Sequence, residues 1–118
     1  MKYRKFGSSE WQSSILGFGA AGIRLCEDTP ESFEPAIFAD TIRVAIDRGI
    51  NFLDVGYPFD LRKHARMAGA IGRALLDGYR GRVKIAVTIP SRLHSKSDLD
   101  RYLDAQISLI NTDSFQYV

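Results

Sequence analysis

The chain has 118 residues, enough for one domain of modest size, and its 45% hydrophobic and 25% charged composition is that of a folded protein rather than a disordered one. A formal net charge of +2, with basic residues scattered except at Arg62-Lys63-His64 and Arg66, argues against a nucleic-acid partner. The single cysteine, Cys26, excludes an internal disulfide, and with no signal-like or membrane-length apolar run the expected setting is cytoplasmic, with no membrane partner.

Tyr3 to Phe6 and Gln12 to Leu16 read as two short strands around Gly7-Ser8-Ser9-Glu10, a β-hairpin with a longer loop. Ile15 to Gly22 is apolar and glycine-rich, a buried strand running into a loop, and Cys26 to Phe33 is a polar connection. A helix opens near Pro35, with Phe38, Ile42, Ala45 and Ile46 on one face and Gly49 as its stop. Ile50 to Asp54 follows as a strand. A second helix is read from Ala68, Ile71, Gly72 and Leu75 and ends at Gly78, with the basic stretch before it as a solvated loop and helix start. Arg82 to Ile89 is the next strand. A third helix opens at Ser97, with Asp100 as its capping-box partner and Leu99, Leu103, Ile107 and Ile110 as its buried stripe. Phe115 to Val118 has the composition of a fourth strand.

Strands alternating with helices at this spacing predict an α/β fold with a parallel sheet. Such a sheet either stays open or closes into a barrel. Gly17-x-Gly19-x-x-Gly22 matches the dinucleotide fingerprint of an open sheet letter for letter. However, Pro30 lies where the required helix should continue, and Asp54 follows Gly22 by about 32 residues instead of the roughly 20 that fingerprint needs. The barrel reading is favoured by Leu53-Asp54-Val55-Gly56-Tyr57, which sets a carboxylate and a phenol at a strand's carboxyl end. Spacing alone leaves two roles open for Asp54: a catalytic group, or a turn residue binding a backbone amide.

Tyr3-Arg4-Lys5-Phe6-Gly7 and Ser14-Ile15-Leu16-Gly17-Phe18-Gly19 resemble the opening hairpin and first strand of bacterial aldo-keto reductases. Ala45 to Asp54 followed by Tyr57, then Ile71-Gly72-Arg73-Ala74-Leu75, Gly78-Tyr79-Arg80 and Val83-Lys84-Ile85-Ala86, continue the resemblance. It spans residues 1-118 as a single partial domain: the N-terminal half of a (β/α)8 TIM-type barrel, a hairpin plus about four strands and three helices.

The resemblance implies an oxidoreductase that moves a hydride between a nicotinamide cofactor, NADP by implication, and a carbonyl or alcohol substrate. In that family a tyrosine protonates the developing alkoxide, helped by a lysine that an aspartate holds, while a histidine orients the carbonyl. Asp54 and Tyr57 match the aspartate and tyrosine. Thr88 stands where the lysine should be, and Lys84 has the same strand parity but lies four residues earlier, roughly 13 Å along the strand. Gly19, Ala20 and Ala21 are the expected nicotinamide-side residues.

His64 and His94 match no family position, and no spacing of His, Cys or carboxylates suggests a metal. With Thr88 in the lysine position, and neither the family histidine nor the phosphate-binding loops within these residues, the chain alone is expected to be inactive. The rival expectation is a non-catalytic descendant kept for binding or assembly. Open sheet edges in either case invite self-association.

Overall fold

The computed structural model describes residues 1–20, 34–56 and 61–117, with residues 61–64 by backbone alone. Ala21, Gly22, Cys26, Tyr57, Val118 and the His64 side chain therefore lie outside the described residues. The chain opens with an antiparallel hairpin, β1 (Tyr3–Lys5) and β2 (Gln12–Ser14), in which Tyr3 faces Ser14 and Lys5 faces Gln12. Then come β3 (Phe18–Gly19), α1 (Pro35–Asp47), β4 (Phe52–Asp54), α2 (Leu61–Ala74), a 3₁₀ turn (Tyr79–Arg82), β5 (Lys84–Ala86) and α3 (Lys96–Ile110).

β3, β4 and β5 are parallel and adjacent in chain order, with Phe18 opposite Leu53, Gly19 opposite Asp54, and Asp54 opposite Ala86. Three strands in this order suit an open sheet or a barrel equally well. The segment after α3 decides, although among the described residues it makes one isolated bridge and not the strand expected over 115–118. In the open dinucleotide-binding arrangement the chain returns at this point to the far side of the first strand. Here Tyr117 makes a parallel bridge to Ala86, so the series grows in one direction, as barrel staves do. The helices form one continuous layer, α1 against α2 and α2 against α3.

Side-chain alternation gives the sheet two distinct faces. Leu53, Val55, Ile85 and Val87 are buried toward the helices, where they meet Ile42, Ile71 and Ile110. Phe18 shares that face, and its ring lies 6.4 Å from Phe38 of α1. Phe52, Asp54, Lys84, Ala86 and Tyr117 belong to the opposite, inner face. At the amino ends of the strands the hairpin covers that face with an aromatic cluster. Phe6 lies 4.6 Å from Tyr117 and 5.8 Å from Phe52, and Trp11 lies 5.8 Å from Tyr117.

α1 begins with Pro35 in its first turn and ends before Gly49, whose φ of +96° suits glycine. Ala39 is buried where the periodicity favoured Ala45, which is only half-buried. α2 starts at Leu61, seven residues ahead of the expected Ala68. Its first turn carries little apolar signal, so hydrophobic periodicity reveals only the part from Met67 onward. It also stops at Ala74, and residues 75 to 78 turn the chain with Asp77 at φ +58° and Gly78 at φ +84°. α3 is capped two residues before the expected pair: the Ser95 hydroxyl accepts the Asp98 amide, making Ser95 and Asp98 the box. Along α3, Leu99, Leu103 and Ile107 are half-buried and Gln106 is buried instead. Both amide atoms of Gln106 lack a hydrogen-bond partner among the described residues.

One arginine locks the last segment in place. Arg80 donates to Thr112 Oγ1 (2.7 Å), the Ser114 carbonyl (2.9 Å), Gln116 Oε1 (3.2 Å) and its own turn at the Val83 carbonyl (3.1 Å). It also pairs with Asp113 at 3.1 Å. Gln116 Oε1 in turn accepts the Ile85 amide, which ties this knot directly to β5.

Two substitutions test the packing. α2 passes α3 so closely at Gly72 that a Cβ there would run into the Ile110 carbonyl, so Gly72→Ala should destabilise the fold by about 1–3 kcal/mol in urea denaturation. Arg80→Lys keeps the charge but loses the planar fork. It should lower stability by about 2 kcal/mol and shift the emission of Trp11, the only tryptophan, to the red as Tyr117 loosens beneath it.

Candidate active-site rim

The carboxyl ends of β3, β4 and β5 meet at a short rim. Gly19 and Asp54 are register partners, and the Ala20 amide donates to the Asp54 carbonyl at 2.7 Å. The Val55 amide donates to the Ala86 carbonyl and the Thr88 amide to the Gly56 carbonyl, both at 2.9 Å. These bonds draw Thr88 against the residue preceding Tyr57. On parity, Asp54, Ala86 and Thr88 all share the inner face, with Thr88 one pleat beyond Ala86.

Each side chain then has a definite setting. Asp54 is half-buried, and its Oδ1 accepts the Gly56 amide at 2.8 Å, closing a tight turn with Gly56 at φ +67°. The turn-forming role is thus real, but it occupies one oxygen only, and Oδ2 accepts no hydrogen bond among the described residues. Thr88 is exposed, and its carbonyl accepts the Tyr102 hydroxyl of α3 at 2.9 Å. Sequence reasoning passed over Tyr102, because its half-buried place beside the apolar stripe looks like packing alone. Gly19 is exposed, and a side chain there would meet nothing within 4 Å among the described residues. Ala20 is fully buried on the helix side, so only its backbone borders the rim. Tyr57 and Ala21 lie outside the described residues.

Other features of the surface lie elsewhere. A cleft lined by Tyr3, Trp11, Gln12, Asn51 and Arg82 opens at the amino ends of the strands, the end away from Asp54 and Thr88. Among the described residues, three carboxyls are held below their ordinary value by partners that the rim does not supply. They are Asp47, through hydrogen bonds from Arg82 and Tyr79; Asp98, through Ser95 and then Arg101; and Asp113, through Ser114 and then Arg80. A carboxyl lowered in the folded state contributes stability at pH values above its ordinary 3.8 and loses it as the pH falls through the folded value. These groups support the scaffold. Among the described residues no three His, Cys, Asp or Glu side chains gather as a metal site, and no helix is long and apolar enough to cross a membrane.

No protein-family model matches the chain, and neither does any curated protein. Solved structures do. The thermostable aldo-keto reductase Tm1743, solved with the inhibitor epalrestat, superposes with a TM-score of 0.79 at 26% identity over 99% of this chain and 42% of its own. The aldo-keto reductase AKR11C1 from Bacillus halodurans, in its holo form, gives 0.75 at 21% identity over 99% of this chain and 39% of its own. The chain thus spans about two-fifths of the length of each. It has the aldo-keto reductase fold, and it corresponds to an N-terminal portion of that (β/α)8 barrel.

Proposed function

We propose that this chain supplies the first part of a nicotinamide-dependent site for carbonyl or alcohol substrates, in which Asp54, Tyr57 and Thr88 form the rim and Thr88 makes it a poor catalyst. The observation that carries this reading is the register: Gly19, Asp54 and Ala86 are consecutive partners across three strands, and Thr88 follows on the same face. The likeness to aldo-keto reductases supports the cofactor class, and NADP is the form implied by the sequence resemblance.

The residues present fit one side of such a cofactor. Gly19 leaves bare, exposed backbone beside Asp54, and no described residue stands within 4 Å of the place its side chain would take, which suits the approach of a flat ring. Gly19, Ala20 and Ala21 would border the ring. When bound, the cofactor supplies the hydride that reaches the carbonyl carbon. Tyr57 donates the proton to the carbonyl oxygen. A free phenol has a pKa of about 10 and is a reluctant donor near neutrality. A cation beside it would stabilise the phenolate left behind, and Thr88 brings a hydroxyl without a charge. Asp54 shapes the turn that ends at Gly56 and adds a carboxylate to the rim.

The same threonine favours a second reading, in which the rim is kept for binding or assembly in the cytoplasm and not for turnover. Grafting the chain in place of the matching segment of the thermostable aldo-keto reductase separates the two. The graft as it stands should oxidise NADPH with simple aldehydes about 10²-fold or more slowly than the same graft carrying Thr88→Lys, the scale of a well-placed acid–base group. Tyr57→Phe should abolish the gain. A lysine graft as inert as its parent would favour the binding reading.

Asp54 has a separable test in the chain itself. Asp54→Asn keeps an acceptor for the Gly56 amide and should leave stability nearly unchanged, whereas Asp54→Ala should lower it by about 1 kcal/mol in urea denaturation.

A further inference from the structure

Thr88 stands where the sheet no longer holds its own chain. β5 ends at Ala86, and shortly past Thr88 comes Pro90, which has no amide proton to donate. Two hydrogen bonds take over at Thr88. Its amide donates to the Gly56 carbonyl at 2.9 Å, and its carbonyl accepts the Tyr102 hydroxyl at 2.9 Å. Both main-chain polar groups of the residue are thereby engaged, one by the turn that follows β4 and the other by α3.

The grip from α3 comes from a firm support. Ser95 caps the helix at its start, and at its end the Asn111 amide returns to the Ile107 and Ser108 carbonyls. The Ile110 carbonyl lies directly against Gly72 of α2. Between these fixed ends the Tyr102 ring packs on the core beside Leu103. A phenylalanine would supply that packing, so what the tyrosine adds is its hydroxyl. The bond it makes carries direction. A hydrogen bond to the Thr88 carbonyl fixes the peptide plane that follows the residue, and the bond from its amide to Gly56 fixes the plane that precedes it. With both planes held, the backbone dihedrals of residue 88 are set, and its side chain leaves toward the inner face that strand parity assigns it.

We infer that Tyr102 is a positioning residue of the rim: through the Thr88 carbonyl, its hydroxyl sets the direction in which the side chain at position 88 points. Tyr102 acts through residue 88 and is assigned no contact with substrate or cofactor. Because the bond is to main chain, it orients a lysine at that position as it orients the threonine. Its weight in catalysis rests on the function proposed above, but the orienting bond itself needs no cofactor.

Tyr102→Phe keeps the ring and removes the hydroxyl, and its effect is read first in the chain itself by NMR. The Thr88 carbonyl carbon resonance should move upfield, as a carbonyl does on losing a donor, and the Thr88 amide should exchange with solvent about three- to tenfold faster, the scale of one hydrogen bond. Tyr79→Phe is the control: it removes a phenol bond to Asp47 at 3.0 Å and should change neither signal at Thr88. A Thr88 carbonyl unmoved by Tyr102→Phe, or equal loosening of residue 88 by both variants, would overturn the inference. The second reading uses the graft that carries Thr88→Lys. Adding Tyr102→Phe should lower its kcat about tenfold and leave KM for NADPH within about twofold, since a small misplacement of a reacting group costs turnover before it costs cofactor binding. An unchanged kcat, or the same loss from Tyr79→Phe, would defeat the positioning role as well. A lysine graft already inert with Tyr102 intact would instead count against the proposed function, and the NMR comparison then decides the role of Tyr102 by itself.

Discussion

The Arg80 guanidinium holds the segment from Thr112 to Gln116 against β5, and the sheet's direction of growth depends on that hold. A fork of planar donors suits this place because it can reach three separate acceptors at once: a threonine hydroxyl, a serine backbone carbonyl and a glutamine amide oxygen. With Gln116 also accepting the Ile85 amide, Tyr117 is brought into register with Ala86. Without this bond set, the three remaining strands would be compatible with an open sheet.

Once Tyr117 is bridged to Ala86, strand parity determines the rest. The helix-facing side is uniformly apolar and closely packed, from Leu53 through Ile85 to Ile110. The inner side is chemically graded along the strand direction. Aromatic rings fill its amino end, a lysine stands in the middle, and a carboxylate and a threonine occupy the rim. A single face thus passes from dry packing to exposed polar groups within a few pleats, and the chemistry is confined to one end.

Much of this was legible in the sequence, because the strongest signals were those with a single physical cause. Pro35 and Gly49 bracket α1 through fixed and left-handed backbone, and the alternation at residues 52–54 and 84–86 marks strands buried on one side. The start of α2 was hidden because its first turn is helical without being apolar. The cap of α3 was misplaced because Ser95 and Ser97 both offer a hydroxyl ahead of an aspartate three residues on, and only geometry shows that the Asp98 amide turns to Ser95. Gln106 could not have been anticipated: an amide at a core position contradicts polarity patterning, and it sits buried with both polar atoms unmatched. At the site, the types and order of Asp54, Tyr57 and Thr88 were readable. That Asp54 commits one oxygen to the Gly56 amide depends on turn geometry, which no spacing encodes.

The ring cluster also bears on how the chain reaches its folded state. Phe6 and Trp11 close on Tyr117, so residues more than a hundred positions apart must meet before the inner face is covered. Contacts of such long sequence separation slow folding, because the loop entropy is lost before the rings reward it. During synthesis the hairpin emerges well before its partner ring and waits until the intervening strands and helices have been made, and through that interval its aromatic side chains are open to whatever else is nearby.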